Sequence, residues 1–339
     1  MTLAFGVAFL LSAAISFGLL LWLRPLLARY ALANPNARSS HKIPTPQGGG
    51  IAVIAATVIM AAAAEFLLLH QVDEPLRFAV ILASTIGLAL VGATDDVRPL
   101  EAVPRLVLQT AAVAAVVATF PDEMRIVPAV PWWLDRALVL VGGVWLVNVV
   151  NFMDGIDWMT VAEVIPVTAG LALFGFLGGL PPAASLVALA LCGAVIGFAP
   201  FNRPVAQMFL GDVGSLPIGL LLGWLLALLA GNGHFASAAL LPLYYLADAT
   251  ITLGRRFVRG EPVTQAHRSH FYQRALDGGF SVGRIVAYVF AANVALVVLA
   301  GVAFVNRSDV AQLIAFLAGC GVVGFILWTF AHAHKRSGR

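Results

Sequence analysis

Apolar segments, each about as long as a bilayer is thick, recur along the whole chain between polar connections. A helix needs about 20 apolar residues to cross a membrane. Eleven stretches approach that length, near residues 3–23, 49–69, 77–93, 103–120, 134–150, 161–179, 182–199, 214–230, 236–253, 284–304 and 310–331. The pattern predicts an all-α, polytopic integral membrane protein of about eleven transmembrane helices, built as a single membrane-embedded domain over residues 1–339.

Composition supports this prediction and excludes several other classes of protein. Hydrophobic residues make up 60% of the chain and charged residues 11%, whereas soluble domains average about 25% charged residues. The first apolar run lacks a basic n-region, so we interpret it as a retained span and not as a signal peptide. Cys192 and Cys320 lie inside apolar segments, which indicates no disulfide or zinc framework.

The positive charges give an orientation. If the N-terminus lies outside and the side alternates with each span, sixteen of the twenty Lys and Arg residues fall inside, and the four exceptions are Arg77, Arg125, Arg136 and Arg307. This strong positive-inside bias predicts a periplasmic N-terminus and a cytoplasmic C-terminus. Because the basic residues follow topology, they indicate a lipid bilayer and no nucleic acid as partner.

The same orientation sorts the unusual polar residues onto one side of the membrane. The predicted outside connections are mostly short, whereas the longer polar loops fall inside, at residues 30–48, 94–104, 151–160, 200–213 and 254–283. The sequence therefore predicts an active surface on the cytoplasmic face, formed by these five loops.

Two clusters of acids end predicted spans. Asp95 and Asp96 follow the third span in "LVGATDDVRPL", and "NVVNFMDGIDWMT" follows the fifth. In the second stretch, Asn148, Asn151, Asp154 and Asp157 are spaced three apart and would share one face if the helix continued. Solvated helix ends are the plain alternative. However, acids at a helix C-terminus oppose the helix dipole, and ionisable groups at membrane depth usually have a function.

A third cluster precedes the eighth span, in "FNRPVAQMFLGDVGS". Asp212 could be the N-cap of that helix, a metal ligand, or both, and a helix N-terminus also favours bound phosphate. Phe209 could pack at the lipid boundary or stack on a base.

Histidines and further cations lie in two of the loops. His267, Arg268 and His270 form part of a dense polar loop. His267 and His270 could donate hydrogen bonds to a phosphate group, and the alternative that they bind zinc has less support. His41 and Lys42 precede a Gly-rich turn into the second span. Carboxylates that hold Mg²⁺ or Mn²⁺ beside such cations are typical of phosphoryl transfer, and the lipid boundary suggests a lipid substrate.

Together, "GATDDVR", "NVVNFMDGIDWMT", "FNRPVAQMFLGDVGS" and the His-containing loop, in this order, resemble the polyprenyl-phosphate N-acetylhexosamine-1-phosphate transferase superfamily. That superfamily includes the phospho-MurNAc-pentapeptide transferase and the GlcNAc-1-phosphate transferases that start surface polysaccharides. The resemblance implies that undecaprenyl phosphate attacks a UDP-N-acetylhexosamine with Mg²⁺ (or Mn²⁺) in the bacterial inner membrane. The products would be polyprenyl-diphospho-sugar and UMP.

The resemblance also implies a role for each matching residue. Asp212 matches the Mg²⁺ ligand. Asp95 and Asp96 match the paired acids, the first as a candidate for deprotonating or positioning the lipid phosphate. The other matches are Asn151, Asp154 and Asp157 beside the nucleotide and diphosphate, Asn202 and Phe209 at the uracil, and His41, Lys42 and His270 at the diphosphate or sugar. His267 and Arg268, beside His270, are candidate substrate contacts.

The sequence departs from the superfamily pattern at two places. The common "DGxDGL" reads "DGIDWMT", so Trp158 stands where glycine is usual, and the common "HxHH" aligns only His270, with Tyr272 and Gln273 in place of the later histidines. This variant resembles the branch that initiates O-antigen-type chains. The donor sugar, a one-step or two-step mechanism, and oligomeric state, including a homodimer, stay open.

Two other classes compete with this interpretation. A transporter for an anionic or lipid-linked substrate would place its acids near the middle of spans, and only Glu65 and Asp248 come near that position. Asp248 could instead support the active site from the ninth span. A CDP-alcohol phosphotransferase would cluster its acids on adjacent helices, whereas here they are dispersed.

Overall fold

The chain folds as a bundle of helices, and each segment in which a span is predicted is helical, with one helix in ten of the segments and two in the ninth. The computed structural model describes residues 2–33, 44–64, 75–262, 265, 267–306 and 308–333. Within them the helices are α1 (Thr2–Tyr30), α2 (Gly50–Ala64), α3 (Pro75–Val97), α4 (Ala102–Val117), α5 (Trp132–Met153), α6 (Met159–Phe176), α7 (Pro182–Phe198), α8 (Asp212–Gly231), α9 (Phe235–Leu240), α10 (Leu243–Val258), α11 (Phe271–Asp277), α12 (Val282–Val305) and α13 (Asp309–Ala331).

Apolar length makes this a multi-pass membrane protein. Among the described residues, seven helices are long and apolar enough to cross a membrane, namely α1, α3, α5, α6, α8, α12 and α13. The shorter helices α2, α4 and α7 are apolar as well. The count of eleven spans and the orientation of the termini remain predictions. The only strands in the described residues are β1 (Leu32–Ala33) and β2 (Thr45–Pro46), which pair antiparallel.

The predicted ninth span is interrupted. Its segment is divided into the short helix α9 and the longer α10, with Pro242 immediately before α10. Proline lacks a backbone N–H and disfavours helical geometry in the residue before it, so a helix stops there. α10 then continues to Val258, five residues beyond the predicted end at 253.

Among the seven helices long enough to cross a membrane, α8 is the most buried, and it packs against α2, α3 and α5. Small residues permit close approach of membrane helices, and Gly92 of α3 illustrates it. A Cβ at Gly92 would lie 2.2 Å from the carbonyl oxygen of Asp212, the first residue of α8. Any larger residue would therefore separate the C-terminal turn of α3 from the N-terminus of α8, which is where Asp95, Asp96 and Asp212 meet.

Candidate active site

Three aspartates meet where α3 ends and α8 begins. Asp95 and Asp96 belong to the last turn of α3, which continues to Val97. The Asp96 carboxylate accepts hydrogen bonds from the backbone N–H groups of Asp212 (2.9 Å) and Val213 (3.1 Å), and from Nε2 of Gln47 (2.5 Å). An anion is favourable at these unpaired N–H groups. Asp96 therefore fixes the start of α8, for which Gly211, and not Asp212, is the N-cap.

This leaves the Asp212 carboxyl group free to face Asp95. The two carboxyl groups lie in hydrogen-bonding contact, and Arg105 of α4 approaches both. Its Nη1 is 2.8 Å from Oδ2 of Asp95 and 3.8 Å from Oδ2 of Asp212. The N–H of Leu100 donates to Asp95 at 2.6 Å. Two carboxylates in contact repel unless a cation lies between them, and Arg105 supplies positive charge here. We call Asp95, Asp96, Asp212 and Arg105 the carboxylate cluster.

Asn151 extends the carboxylate cluster to α5. Its Nδ2 donates to Oδ1 of Asp212 (2.7 Å) and to Oγ of Ser215 (3.0 Å), which orients the Asp212 carboxyl group. Asn148 instead points to α4 and donates to Oε1 of Gln109 at 2.9 Å. The condition for the four polar residues to stack on one helical face, a helix that continues through Asp157, is not met.

The reason is that α5 ends at Met153 and the chain turns. Asp154 is its C-cap, with φ −79° and ψ 51°, outside helical geometry. The Asp154 carboxylate accepts a hydrogen bond from Oγ1 of Thr160 at 2.5 Å. Burial raises the pKa of Asp154 to about 6, with Asp96 and Asp157 adding repulsion and Thr160 opposing it. This turn lies beside the carboxylate cluster, because Asn151, three residues before Asp154, bonds Asp212.

Asp157 and Trp158 connect the same turn to the segment after α7. The Asp157 carboxylate accepts from the N–H of Ala206 at 3.0 Å. The Trp158 N–H donates to Oδ1 of Asn202 at 2.8 Å, and its indole N–H donates to the carbonyl of Ala199 at 2.7 Å. Trp158 has φ +62°, a left-handed conformation that favours glycine. That backbone explains why related motifs carry glycine here.

The predicted uracil-binding pair lies in this segment. Asn202 is buried, and its Nδ2 donates to the carbonyl of Met208 at 3.0 Å. Phe209 is held through its backbone, because its N–H donates to Pro46 (2.8 Å) and its carbonyl accepts from Gly49 (2.9 Å). The structure thus places Phe209 beside the described end of the first polar loop, and Asn202 bonds the carbonyl of Met208, the residue before Phe209. His41 and Lys42 lie outside the described residues.

The last polar loop contributes a second group, which we call the histidine cluster: Asp248, His267, His270 and Tyr272. Nδ1 of the buried His270 lies 3.2 Å from Oδ1 of Asp248. The His267 ring lies 5.0 Å from the His270 ring, and Oγ of Ser269 is 2.9 Å from its Nδ1. Burial and the neighbouring His270 lower the pKa of His267 to about 4, so His267 is neutral at pH 7.

Arg268 of this loop is partly exposed. Its Nη2 forms an ion pair with Oδ1 of Asp277 at 3.0 Å, and the Asp277 carboxylate is largely exposed. The predicted substrate contact by Arg268 therefore competes with an ion pair at the end of α11.

Sequence reasoning missed three side chains that contact the predicted site. The sequence indicates Arg105 only as one of the positive charges that set the topology, but its side chain pairs with Asp95. No motif marks Gln47, which bonds Asp96, or Thr160, which bonds Asp154. Gln47 lies immediately before the Gly-rich turn, which was a usable signal. Arg105 and Thr160 come from neighbouring helices, and their spacing in the sequence carries no such signal.

The donor set fits a hard divalent cation. Among the described residues, no three His, Cys, Asp or Glu side chains converge closely enough to hold a metal by themselves. The contacting carboxyl groups of Asp95 and Asp212 nevertheless offer oxygens and need positive charge. Mg²⁺ is usually held by one or two carboxylates, with water and substrate phosphate completing its shell. The residues present therefore fit Mg²⁺ or Mn²⁺ better than zinc.

An oxygen-rich, acidic site at the ends of membrane helices suits the class of membrane transferases that handle phosphate groups. Comparison with known proteins agrees with that class. The profile of glycosyl transferase family 4 matches residues 78–230. A decaprenyl-phosphate N-acetylglucosaminephosphotransferase of Mycolicibacterium smegmatis is 30% identical over 309 residues, covering 79% of this chain and 74% of that protein.

Two further relatives extend the match. The enzyme with the same name from Mycobacterium tuberculosis is 29% identical over 335 residues, covering 87% of this chain and 82% of that protein. A phospho-N-acetylmuramoyl-pentapeptide-transferase of Desulfotalea psychrophila is 29% identical over 258 residues, 62% of this chain and 69% of that protein. The chain belongs to glycosyl transferase family 4, within the polyprenyl-phosphate N-acetylhexosamine-1-phosphate transferase superfamily.

Proposed function

We propose that the protein transfers an N-acetylhexosamine 1-phosphate from its UDP-activated form to undecaprenyl phosphate. A phosphate oxygen of the lipid attacks the β-phosphorus of the UDP-sugar, the bond from that phosphorus to the bridging oxygen breaks, and UMP leaves. The products are polyprenyl-diphospho-N-acetylhexosamine and UMP. The observation that carries this proposal is the contact between Asp95 and Asp212, with Arg105 shared between them, at the end of an apolar bundle.

The residues of the carboxylate cluster, together with Asn151 beside it, have separate roles in this reaction. Asp212 and Asp95 would hold Mg²⁺, which supplies neutralisation of the diphosphate charge when bound. Asn151 holds the Asp212 carboxyl group in place through a 2.7 Å hydrogen bond. Arg105 is close enough to pair with phosphate oxygens once a cation competes for its two carboxylates. Positioning and charge neutralisation are the main requirements of phosphoryl transfer.

The neighbouring segments would bind the donor. Phe209 and Asn202 lie on the segment after α7, and the Trp158 N–H fixes the Asn202 amide at 2.8 Å. We assign the uracil to Phe209 and Asn202 and the diphosphate to His270, with Asp154 and Asp157 shaping the turn between them. We further propose that this surface faces the cytoplasm of a bacterial inner membrane, because the basic residues concentrate on that side.

A donor panel tests the proposal. Purified protein in undecaprenyl-phosphate vesicles with Mg²⁺ receives UDP-GlcNAc, UDP-GalNAc, UDP-QuiNAc or UDP-FucNAc, while UMP and lipid-linked sugar are measured. We expect both products in equal amounts with at least one donor, and the preferred sugar indicates whether an O-antigen-type or a cell-wall chain is begun. Absence of UMP with every donor, from folded protein, would contradict the proposal. Passage of a donor across the vesicle membrane without UMP would instead support a transporter.

A further inference from the structure

Asp248 is the most completely bonded carboxylate in the described residues near the site. It lies on α10, is fully buried, and accepts hydrogen bonds from five donors. Three lie on the α11 side: Nδ1 of His270 (3.2 Å), the N–H of Phe271 (3.0 Å) and the N–H of Tyr272 (3.3 Å). The other two come from α10 itself, one turn away on either side: Tyr244 and Thr252 hydroxyls, both at 3.3 Å.

These bonds fix the conformation of His270. His270 is the N-cap of α11, and its backbone N–H donates to Oε1 of Gln273 at 3.3 Å. Asp248 receives the next two N–H groups of α11, which have no partner inside the helix. With the backbone held on both sides of His270, only its ring remains to be oriented, and Asp248 contacts that ring at Nδ1.

A carboxylate at Nδ1 decides which imidazole nitrogen carries the proton. Nδ1 donates to Asp248, so the neutral ring keeps Nε2 as an acceptor, and the protonated ring donates from Nε2 as well as to Asp248 from Nδ1. Carboxylate partners fix the tautomer and orientation of histidines in this way. The groups that face the His270 ring in the described residues are Asp248 on α10, His267 in the loop and Tyr272 on α11.

α11 also contacts the turn that follows α5, beside the carboxylate cluster. The hydroxyl of Tyr272 donates to the carbonyl of Phe152, at the end of α5, at 3.3 Å. A Cβ at Gly155 would lie 2.0 Å from that hydroxyl oxygen, so only glycine permits this approach. The helix that Asp248 anchors therefore packs directly on the turn that carries Asp154.

We propose that Asp248 is a positioning residue for the transfer reaction, holding His270 in a single tautomer with Nε2 directed away from Asp248 to contact the donor's diphosphate. This inference rests on the proposed function. If Asp248 served only to stabilise α11, its replacement would lower stability without depending on His270. Positioning instead predicts that the kinetic effect of replacing Asp248 disappears when His270 is absent.

The kinetic test is a double-mutant cycle. Asp248→Asn keeps the shape but removes the charge, and we expect kcat to fall about 10–100-fold, as when the partner of a catalytic histidine is lost. KM for the UDP-sugar should change less than about threefold. In a His270→Gln background, Asp248→Asn should lower kcat by less than about threefold. Thr252→Val, which removes a different bond to Asp248, is the matched control and should stay within about twofold of wild type. Full additivity of the two losses would overturn the proposal.

A second measurement does not need activity. Diethylpyrocarbonate modifies accessible imidazoles, and the modified histidines are counted by mass spectrometry. We expect His270 to be protected in wild type and in Thr252→Val, and modified at least about fivefold faster in Asp248→Asn. His234, which stacks on Phe304 elsewhere in the bundle, should keep its rate and so exclude global unfolding. Unchanged protection of His270 would overturn the proposal. Inactive wild-type protein would contradict the proposed function alone.

Discussion

The histidine cluster contains a fully buried aspartate and the carboxylate cluster contains partly buried ones, and the protein satisfies the two kinds differently. Asp248 accepts from five protein donors, one of which is the His270 ring. Asp95 and Asp212 instead face each other and share one guanidinium. A buried carboxylate with a full set of donors is stable as it stands, whereas a contacting pair needs further positive charge. The comparison distinguishes Asp248, a carboxylate that stabilises the fold, from Asp95 and Asp212, a pair that is suited to bind a ligand.

The largest effect should come from Asp212. In Asp212→Asn the amide cannot balance a divalent cation, so we expect the rate of UMP release to fall roughly 10²–10³-fold, the usual cost of removing one charge-stabilising group. Expression and folding should be retained. Asp309→Asn, at an exposed acid at the start of α13, is the control and should be fully active. Wild-type turnover by Asp212→Asn would place the metal elsewhere.

Replacing Arg105 should lower the rate less than replacing Asp212, and it should also lower the Mg²⁺ concentration that the enzyme needs. Its guanidinium competes with any cation for Asp95 and Asp212, so Arg105→Gln should lower the Mg²⁺ concentration that gives half-maximal activity. We expect kcat to fall about tenfold, because a charge-assisted bond is worth about 1.5–3 kcal/mol. Mg²⁺ titrations of UMP release measure both quantities. Arg284→Gln, at a guanidinium that stacks on Phe280, should change neither, and a higher Mg²⁺ requirement in Arg105→Gln would refute the competition.

Thr160 should shift the pH dependence. Its hydroxyl bonds the ionised form of Asp154 and so opposes the rise of that pKa to about 6. In Thr160→Val the pKa should rise further, by about 0.5–1 unit, since a hydrogen bond is worth about 0.5–1.5 kcal/mol and one unit about 1.4 kcal/mol. The acid limb of kcat/KM should therefore move to higher pH. Thr168→Val, on the same helix, should leave it in place, and a shift to lower pH would contradict the assignment.

The smallest effect should come from Tyr244. Tyr244→Phe removes one of the five donors to Asp248 and leaves the ring in place. The four remaining bonds should hold the carboxylate, so we expect a stability loss of about 1 kcal/mol and activity within about twofold of wild type. Thermal unfolding in detergent and UMP release measure these. A loss of activity greater than tenfold would mean that Asp248 is not as fully satisfied as the histidine cluster suggests.

The helical segments could be predicted because they depend on the length of apolar runs, which the sequence displays directly. The residues at which the helices end were harder to predict from the sequence. Asp95 and Asp96 lie in a helix that continues to Val97, and α5 stops at Met153 because the chain turns at Asp154. These ends depend on tertiary bonds, such as that between Asp154 and Thr160, which a linear pattern does not contain.

The site could be predicted as a set of acids on one surface, but not as a geometry. Motif order pointed to Asp212, Asn151 and His270 without showing that Asn151 bonds Asp212 directly. Arg105 lies on another helix in a position that topology alone explains, and only the packing of α4 brings it to Asp95. Residues whose role is a contact across helices are the ones that sequence reasoning missed.

Trp158 combines a left-handed backbone with two hydrogen bonds that a glycine would supply only in part. Glycine reaches that backbone without cost, but any other side chain must compensate for the strain. The indole does so through the Ala199 carbonyl. Exchange at this position is therefore coupled to residues 199–202: a residue other than glycine that lacks an indole N–H would keep the left-handed strain and lose the bond to the Ala199 carbonyl.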